Sequence, residues 1–297
     1  GLDHLKSSVA FALEAGQVRR AILDSTNIGY VLADLGELEA CVDQAHDALA
    51  LARRTGWKPQ IGACLTVVAH ALLKAERADA ARALAEEALD CIESHAQGRP
   101  YLIALNTAAD AYAACGDFLK ARTAFQDMLV HTVGRSESSE LERYARLGLA
   151  RAQTQLGHPA DARSMCHEAL TLARQAGDVV VEVECLRLLA KLTQGDQPSE
   201  TINLLRQAEQ VIDRSDDYPA PSSLLHDLSA VLERNGDHQN ALLVLRKAVA
   251  ARARETAAEA SRKAVSMEVR FRTERAMADA EHQRRTSETE SRRAAEL

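Results

Sequence analysis

Small and apolar side chains return at fixed distances from a helix-breaking turn that recurs along the chain. The turn stands at Gly36-Glu37, Glu76-Arg77, Gly116-Asp117, Gly157-His158, Asp196-Gln197 and Gly236-Asp237, at spacings of 40, 40, 41, 39 and 40 residues. Five positions later come Cys41, Ala81, Ala121, Ala162, Thr201 and Ala241; twelve later come Ala48, Ala88, Met128, Ala169, Ala208 and Ala248. Seven positions earlier lie Gly29, Ala69, Ala109, Ala150, Leu189 and Ser229, each preceded by an apolar or small residue such as Ile28, Val68 or Leu228. A small residue beside an apolar one, at the same point of every period, marks close approach of two helices, so the pattern predicts six stacked helical hairpins.

The prolines fit the same periods. Pro59, Pro100, Pro159, Pro198, Pro219 and Pro221 all fall at or just before predicted helix starts, where a missing N–H costs nothing. Ser139-x-x-Glu142 has the form of a capping box before the fourth hairpin.

The period resembles the tetratricopeptide repeat. That family places small residues at its eighth, twentieth and twenty-seventh positions, an apolar residue at the twenty-fourth (here Ala45, Ala85, Phe125, Cys166, Leu205 and Leu245), and a turn glycine between two helices. The resemblance covers roughly residues 20 to 253. It departs from the pattern in two ways: only Tyr112 supplies the usual aromatic four residues before the turn, and the terminating proline is absent. Without that breaker the second helix is expected to run on, giving a unit of about 40 residues. The resemblance implies an all-α, right-handed α-solenoid of helix hairpins. Residues 1–16 match the second helix of a truncated repeat, residues 17–255 hold six repeats, and the array is expected to extend upstream.

No Gly or Pro follows Asp237, so residues 256–297 are expected to form one long helix. Heptads place Val269, Thr273, Ala276, Ala280, Gln283, Ser287, Glu290, Ala294 and Leu297 on one stripe. Its small and polar members describe either a weak parallel coiled coil that makes a homodimer or a single solvated helix. The stretch Glu268–Arg285 resembles the linker helix between tetratricopeptide sensor regions and GGDEF diguanylate cyclase domains of bacterial signalling proteins; related linkers precede histidine kinases. What this resemblance implies is a sensor half cut before an output domain, with cyclic di-GMP as the parent protein's product. Arg214-Ser-Asp-Asp217 has the RxxD form of the inhibitory nucleotide site of such cyclases, outside its usual context.

Composition narrows the class. Aromatics make up 3% of the chain, charged residues 27% and apolar residues 46%, which excludes disorder and disfavours β-sheet. The longest apolar stretch, Ile61–Leu73, is too short to span a bilayer, no secretory signal is visible, and six cysteines are scattered without a CxxC pair. These features point to a cytoplasmic protein with small buried thiols. A net charge of −7 with no basic face disfavours nucleic acid as a partner.

No catalytic motif is present, and no metal or cofactor is expected. Cys166 and His167 are adjacent, but neighbours on a helix point about 100° apart and cannot act as nucleophile and base. Binding is the better expectation. By the resemblance, the first helix of each unit lines a concave groove. Positions ten before each turn give Thr26, Thr66, Asn106, Leu147, Leu186 and His226; positions six before give Tyr30, His70, Asp110, Arg151, Ala190 and Ala230; Tyr144 joins them. The groove is expected to be polar near the N-terminal repeats and apolar around Leu147, Leu186 and Ala190. These residues either contact a peptide or protein ligand or form ordinary solvated surface. The expected function is a regulatory interaction module relaying through the dimeric helix to an output domain. The alternatives are a stand-alone scaffold or peptide-binding regulator and the sensor of a histidine kinase.

Overall fold

A computed structural model describes residues 2–92, 98–193, 197–215, 220–257 and 259, without the side chain of residue 137. The chain divides into two compact units, Gly1–Arg252 and Ala253–Leu297. In the second, residues 253–257 and 259 are described, and they are helical. In the first, α1 (Leu2–Glu14) precedes six hairpins. Their first helices are α2 (Val18–Asp34), α4 (Lys58–Lys74), α6 (Arg99–Ala114), α8 (Ser139–Gln155), α10 (Val179–Thr193) and α12 (Ser222–Arg234). Their second helices are α3 (Leu38–Thr55), α5 (Ala78–Ile92), α7 (Phe118–Thr132), α9 (Pro159–Ala176), α11 (Pro198–Asp213) and α13, which covers 238–252 of this unit. Among the described residues there is no strand. First helices run 13 to 17 residues and the second helices α3, α5, α7, α9 and α11 run 15 to 18. The long period is therefore shared by both helices and is not made by the second alone.

The turns explain the period locally. In the first hairpin the Gly36 N–H donates to Ala33 O (3.0 Å) and the Glu37 N–H to Leu32 O (2.8 Å), the paired bonds of a Schellman motif. Residues 76–77, 116–117, 157–158 and 236–237 repeat it. The motif requires a left-handed residue, supplied by glycine at φ 78–82° in four of these turns and by Glu76 at φ 59° in the other.

Stacking fixes the curvature. Each helix packs on the next, and α2, α4, α6, α8 and α10 also pack on one another in succession, whereas among the described residues no comparable packing joins successive second helices. First helices therefore lie on the inside of the curve. The small positions permit this: Cys41, Ala81, Ala121 and Ala162 are fully buried, and a Cβ on Gly29 would stand 2.5 Å from Val67 Cγ1. Gly148 leaves room for the Phe125 ring.

Three sequence expectations need correction. The first is the capping box. A 3-10 turn, Ser136–Ser138, makes Ser138 the N-cap of α8, and Ser139 is already helical; Glu142 instead turns inward and accepts from Arg146 at 2.6 Å. The second is Leu245, which is 38% exposed although its counterparts in the other five units are buried. With Leu242 and Val249 it forms the face that a following first helix covers elsewhere.

The third is the register of the fifth unit. The burial pattern of α10 matches its neighbours only when Ala190, not Leu189, takes the small position beside Gly29, Ala69, Ala109, Ala150 and Ser229. Thr201 follows Ala190 by eleven positions, against twelve between the corresponding residues elsewhere, so α10 is shifted by one residue.

Pro59, Pro100, Pro159 and Pro198 occupy the first or second position of their helices, and Pro221 is an N-cap. The dimer seam at Val269, Thr273, Ala276, Ala280, Gln283, Ser287, Glu290, Ala294 and Leu297 lies outside the described residues. So do Pro219, Asp196 and the two aspartates of the RxxD stretch.

Candidate functional site

The inner wall is built from α2 onward. Thr26 and Thr66 are 4% and 1% exposed, and their hydroxyls donate to the Leu23 and Gly62 carbonyls of their own helices. They belong to the packed layer and leave the wall's surface to the residues one turn further on. There Tyr30 and His70 tilt against each other at 5.6 Å between ring centroids, and Asp34 reaches His70 Nε2 at 3.7 Å and Lys74 Nζ at 3.4 Å. Burial and the nearby Lys74 charge lower the His70 pKa against the pull of Asp34, so the ring is mainly neutral at pH 7. Burial pushes the Tyr30 phenol up.

In the third unit Asn106 Nδ2 donates to Asp110 Oδ2 at 3.2 Å. Both are half-buried. Burial pushes the Asp110 carboxyl up to about 6, while Arg151, the Asn106 bond and Lys74 oppose the rise. Tyr144 is half-buried against the core of the later units, beside Asp178 and Glu140, which add to the upward shift that burial gives its phenol. His226 is exposed on α12, next to Asp227 and outside the lining of the cleft described next.

A cleft of about 520 Å³ opens along α8, α10 and α12. Of the expected apolar patch only Ala190, 2% exposed, reaches its lining; Leu147 and Leu186 are 3% and 0% exposed and lie in the core. The one-residue shift of α10 turns Arg187 and Lys191 inward in place of Leu186 and Ala190. An ion-pair chain then links the three helices: Arg151 to Glu184 at 2.6 Å, Glu184 to Arg187 at 3.2 Å, and Arg187 to Asp227 at 3.5 Å. Arg187 also donates to Ser223 Oγ at 3.0 Å.

Sequence reasoning found Arg151 but missed Glu184, Arg187, Lys191 and Asp227. Their signal was the i, i+3, i+7 spacing of three charges on α10, with Arg187 and Asp227 one period apart.

Elsewhere the chemistry is inert. Cys166 is buried and its Sγ donates to the Cys185 carbonyl at 3.2 Å, while the neighbouring His167 is exposed. Burial pushes the Cys41 and Cys64 thiols up to about 11 and 12, leaving them protonated at neutral pH. Among the described residues no His, Cys, Asp and Glu cluster suits a metal, and no helix is long and apolar enough to cross a membrane.

No protein-family model and no curated protein matches the sequence. Solved structures do match the fold. BtubC from P. vanneervenii aligns with TM-score 0.61 and 18% identity, over 74% of this chain and 92% of its own. The Rap conjugation regulator of plasmid pLS20, solved with the Phr* peptide, aligns with TM-score 0.59 and 17% identity, over 83% and 72%. A signal-transduction ATPase with a tetratricopeptide repeat sensor, from Pyrococcus horikoshii, aligns with TM-score 0.60 and 14% identity, over 87% of this chain and 43% of its own. At these identities the likeness is one of fold: a helical repeat array of the tetratricopeptide kind.

Proposed function

We propose that the chain is a regulatory repeat module that binds a peptide along its inner wall. The observation that carries this reading is the inward row of Tyr30, His70, Asp110, Arg151 and Lys191, one residue from each of five successive first helices. Packed helices lie about 8–10 Å apart, and an extended chain rises about 3.3 Å per residue. A peptide laid across the wall therefore meets a new helix roughly every three residues, and its side chains are compared in turn with aromatic, acidic and basic groups. The Rap regulator, which shares the fold, was solved with a peptide, and this supports the reading.

The test is titration of the chain with labelled random-sequence peptide pools, read by fluorescence anisotropy. Asp110→Ala with Arg151→Ala should weaken binding of any selected peptide by about tenfold or more, since both groups lie in its path. Unchanged affinity removes the inner wall from consideration.

The reading extends to output on the strength of the sequence. The Glu268–Arg285 stretch resembles linkers to diguanylate cyclase domains, so groove occupancy is proposed to bias a dimeric helix whose seam runs through Val269, Thr273, Ala276, Ala280, Ser287, Ala294 and Leu297. The repeat sensor of the Pyrococcus ATPase supports such arrays as the sensing half of a larger protein. Light scattering of the chain with and without residues 260–297 tests the dimer: equal monomer masses refute it.

A further inference from the structure

α13 presents an open apolar face. Six, nine and thirteen positions after the sixth turn stand Leu242, Leu245 and Val249, all exposed, whereas the residues at these places in the other five units are buried or half-buried. The other side of α13 is fixed. Ala241, Val244, Ala248 and Ala251 belong to the core cluster of the last three units, the Ser229 hydroxyl donates to the Ala241 carbonyl at 2.9 Å, and Lys247 Nζ meets Glu209 at 2.6 Å.

Elsewhere such a face is covered because the chain turns back. α3 and α9 stop at Gly56 and Gly177, left-handed residues twenty positions after their hairpin turns, and α4 and α10 follow. The equivalent place after the sixth turn holds Thr256, which is helical, and no Gly or Pro follows Asp237. The sequence codes no break there that would return a first helix onto α13.

The spacing of the three residues indicates what covers them. Intervals of three and four place Leu242, Leu245 and Val249 at successive a and d positions of a heptad, the pattern by which two identical parallel helices interlock. Counted in sevens from Leu245, the same column passes Arg252, Glu259 and Ser266 and reaches Thr273, Ala280, Ser287 and Ala294, four members of the seam proposed above. Small and polar residues hold a coiled coil weakly, and the three side chains on α13 supply the large apolar contacts that seam lacks.

We infer that the dimer begins within the repeat array: the α13 faces of two copies of the chain pack on each other through Leu242, Leu245 and Val249. The inference rests on the dimeric-helix reading above and names the part of the array that meets its partner. Such a contact couples the wall to the dimer. α12 lends Asp227 and Val231 to the cleft and shares a core with α13, so a shift of α12 on ligand binding reaches the second copy directly.

Sedimentation equilibrium of the full chain over a range of concentrations gives the dimer constant for the wild type and three variants: Leu245→Glu, Leu242→Ala with Val249→Ala, and Leu243→Glu. Leu245→Glu sets a carboxylate from each copy in the apolar contact and should weaken the dimer about a hundredfold; the alanine pair should weaken it about tenfold. Leu243 is as exposed as Leu242 but stands about 160° from Leu245 around the helix, so Leu243→Glu should leave the constant unchanged. Far-UV circular dichroism confirms that each variant keeps its helices.

A dimer that Leu245→Glu leaves intact overturns the inference while the seam reading stands, and the face is then left to solvent or to a helix of another protein. Equal weakening by Leu245→Glu and Leu243→Glu also overturns it, since added charge alone then accounts for the loss. A chain that is monomeric at every concentration overturns both the inference and the dimeric helix.

Discussion

Glu76 holds a left-handed backbone in the turn of the second hairpin, at φ 59°, where four other hairpins have glycine. A Cβ in that conformation crowds the following carbonyl, at a cost of about 1 kcal/mol, part of which a glycine returns through its freedom in the unfolded chain. Glu76→Gly should therefore stabilise the array by about 0.5–1 kcal/mol, raising the melting midpoint by roughly 2 °C in a calorimetric scan. Asp110 carries the opposite kind of strain. Its carboxyl is raised to about 6 by burial, so the folded chain holds that proton more tightly than the unfolded one does. The sign follows: stability from this group is present at low pH, falls as pH rises from about 4 to about 6, and stays low above that, a loss on the order of 3 kcal/mol. Asp110→Asn should flatten that decline and raise the melting temperature at pH 7, read from melts across the range. Neither strain was visible in the sequence, because both depend on what surrounds the residue.

Helix boundaries were largely legible, since turn and cap chemistry is local. Asp117 shows why. It ends one Schellman turn and starts α7, where its side chain accepts from the Lys120 N–H at 3.2 Å. Asp117→Ala should cost about 1 kcal/mol in chemical denaturation, because one of the orphan N–H groups of the first turn loses its partner. The Ser139–Glu142 pair shows the limit of local reading. The motif was present, but Ser138 took the cap, and the buried Glu142 is held by Arg146, which is also bonded to Glu168 at 3.0 Å. Likewise, the six turns located the hairpins correctly but not the register of α10. A one-residue shortening rotates an α-helix by about 100°, enough to exchange Leu186 and Ala190 for Arg187 and Lys191 on the inner wall.

Over the whole array the core is uneven. In units four to six one continuous cluster joins Leu186, Leu189, Leu205, Ile212, Leu224 and Leu228, whereas units one and two divide theirs among smaller groups, one around Ile28, Leu32, Val67 and Val68, one around Ile22, Leu49 and Leu65, and one of Ala69 and Ala85 with Ala108. Apolar burial scales with side-chain area, and a repeat array is stabilised through its neighbouring interfaces, so the two ends should differ in local stability. In native-state hydrogen exchange, amides of α3 to α5 are expected to exchange faster than those of α9 to α11. Equal protection would show that the array opens as one cooperative body.

The forty-residue period, the all-helical class and the sites of most turns were determined by the sequence alone. They follow from glycine placement and from small residues at fixed distances, which act within a few residues of themselves or between identical neighbours. The charge pattern of the cleft was decided only in the tertiary structure. Arg151, Glu184, Arg187 and Asp227 come from three helices, and their meeting depends on how the array curves and on the short link into α11, quantities summed over the packing of the whole array.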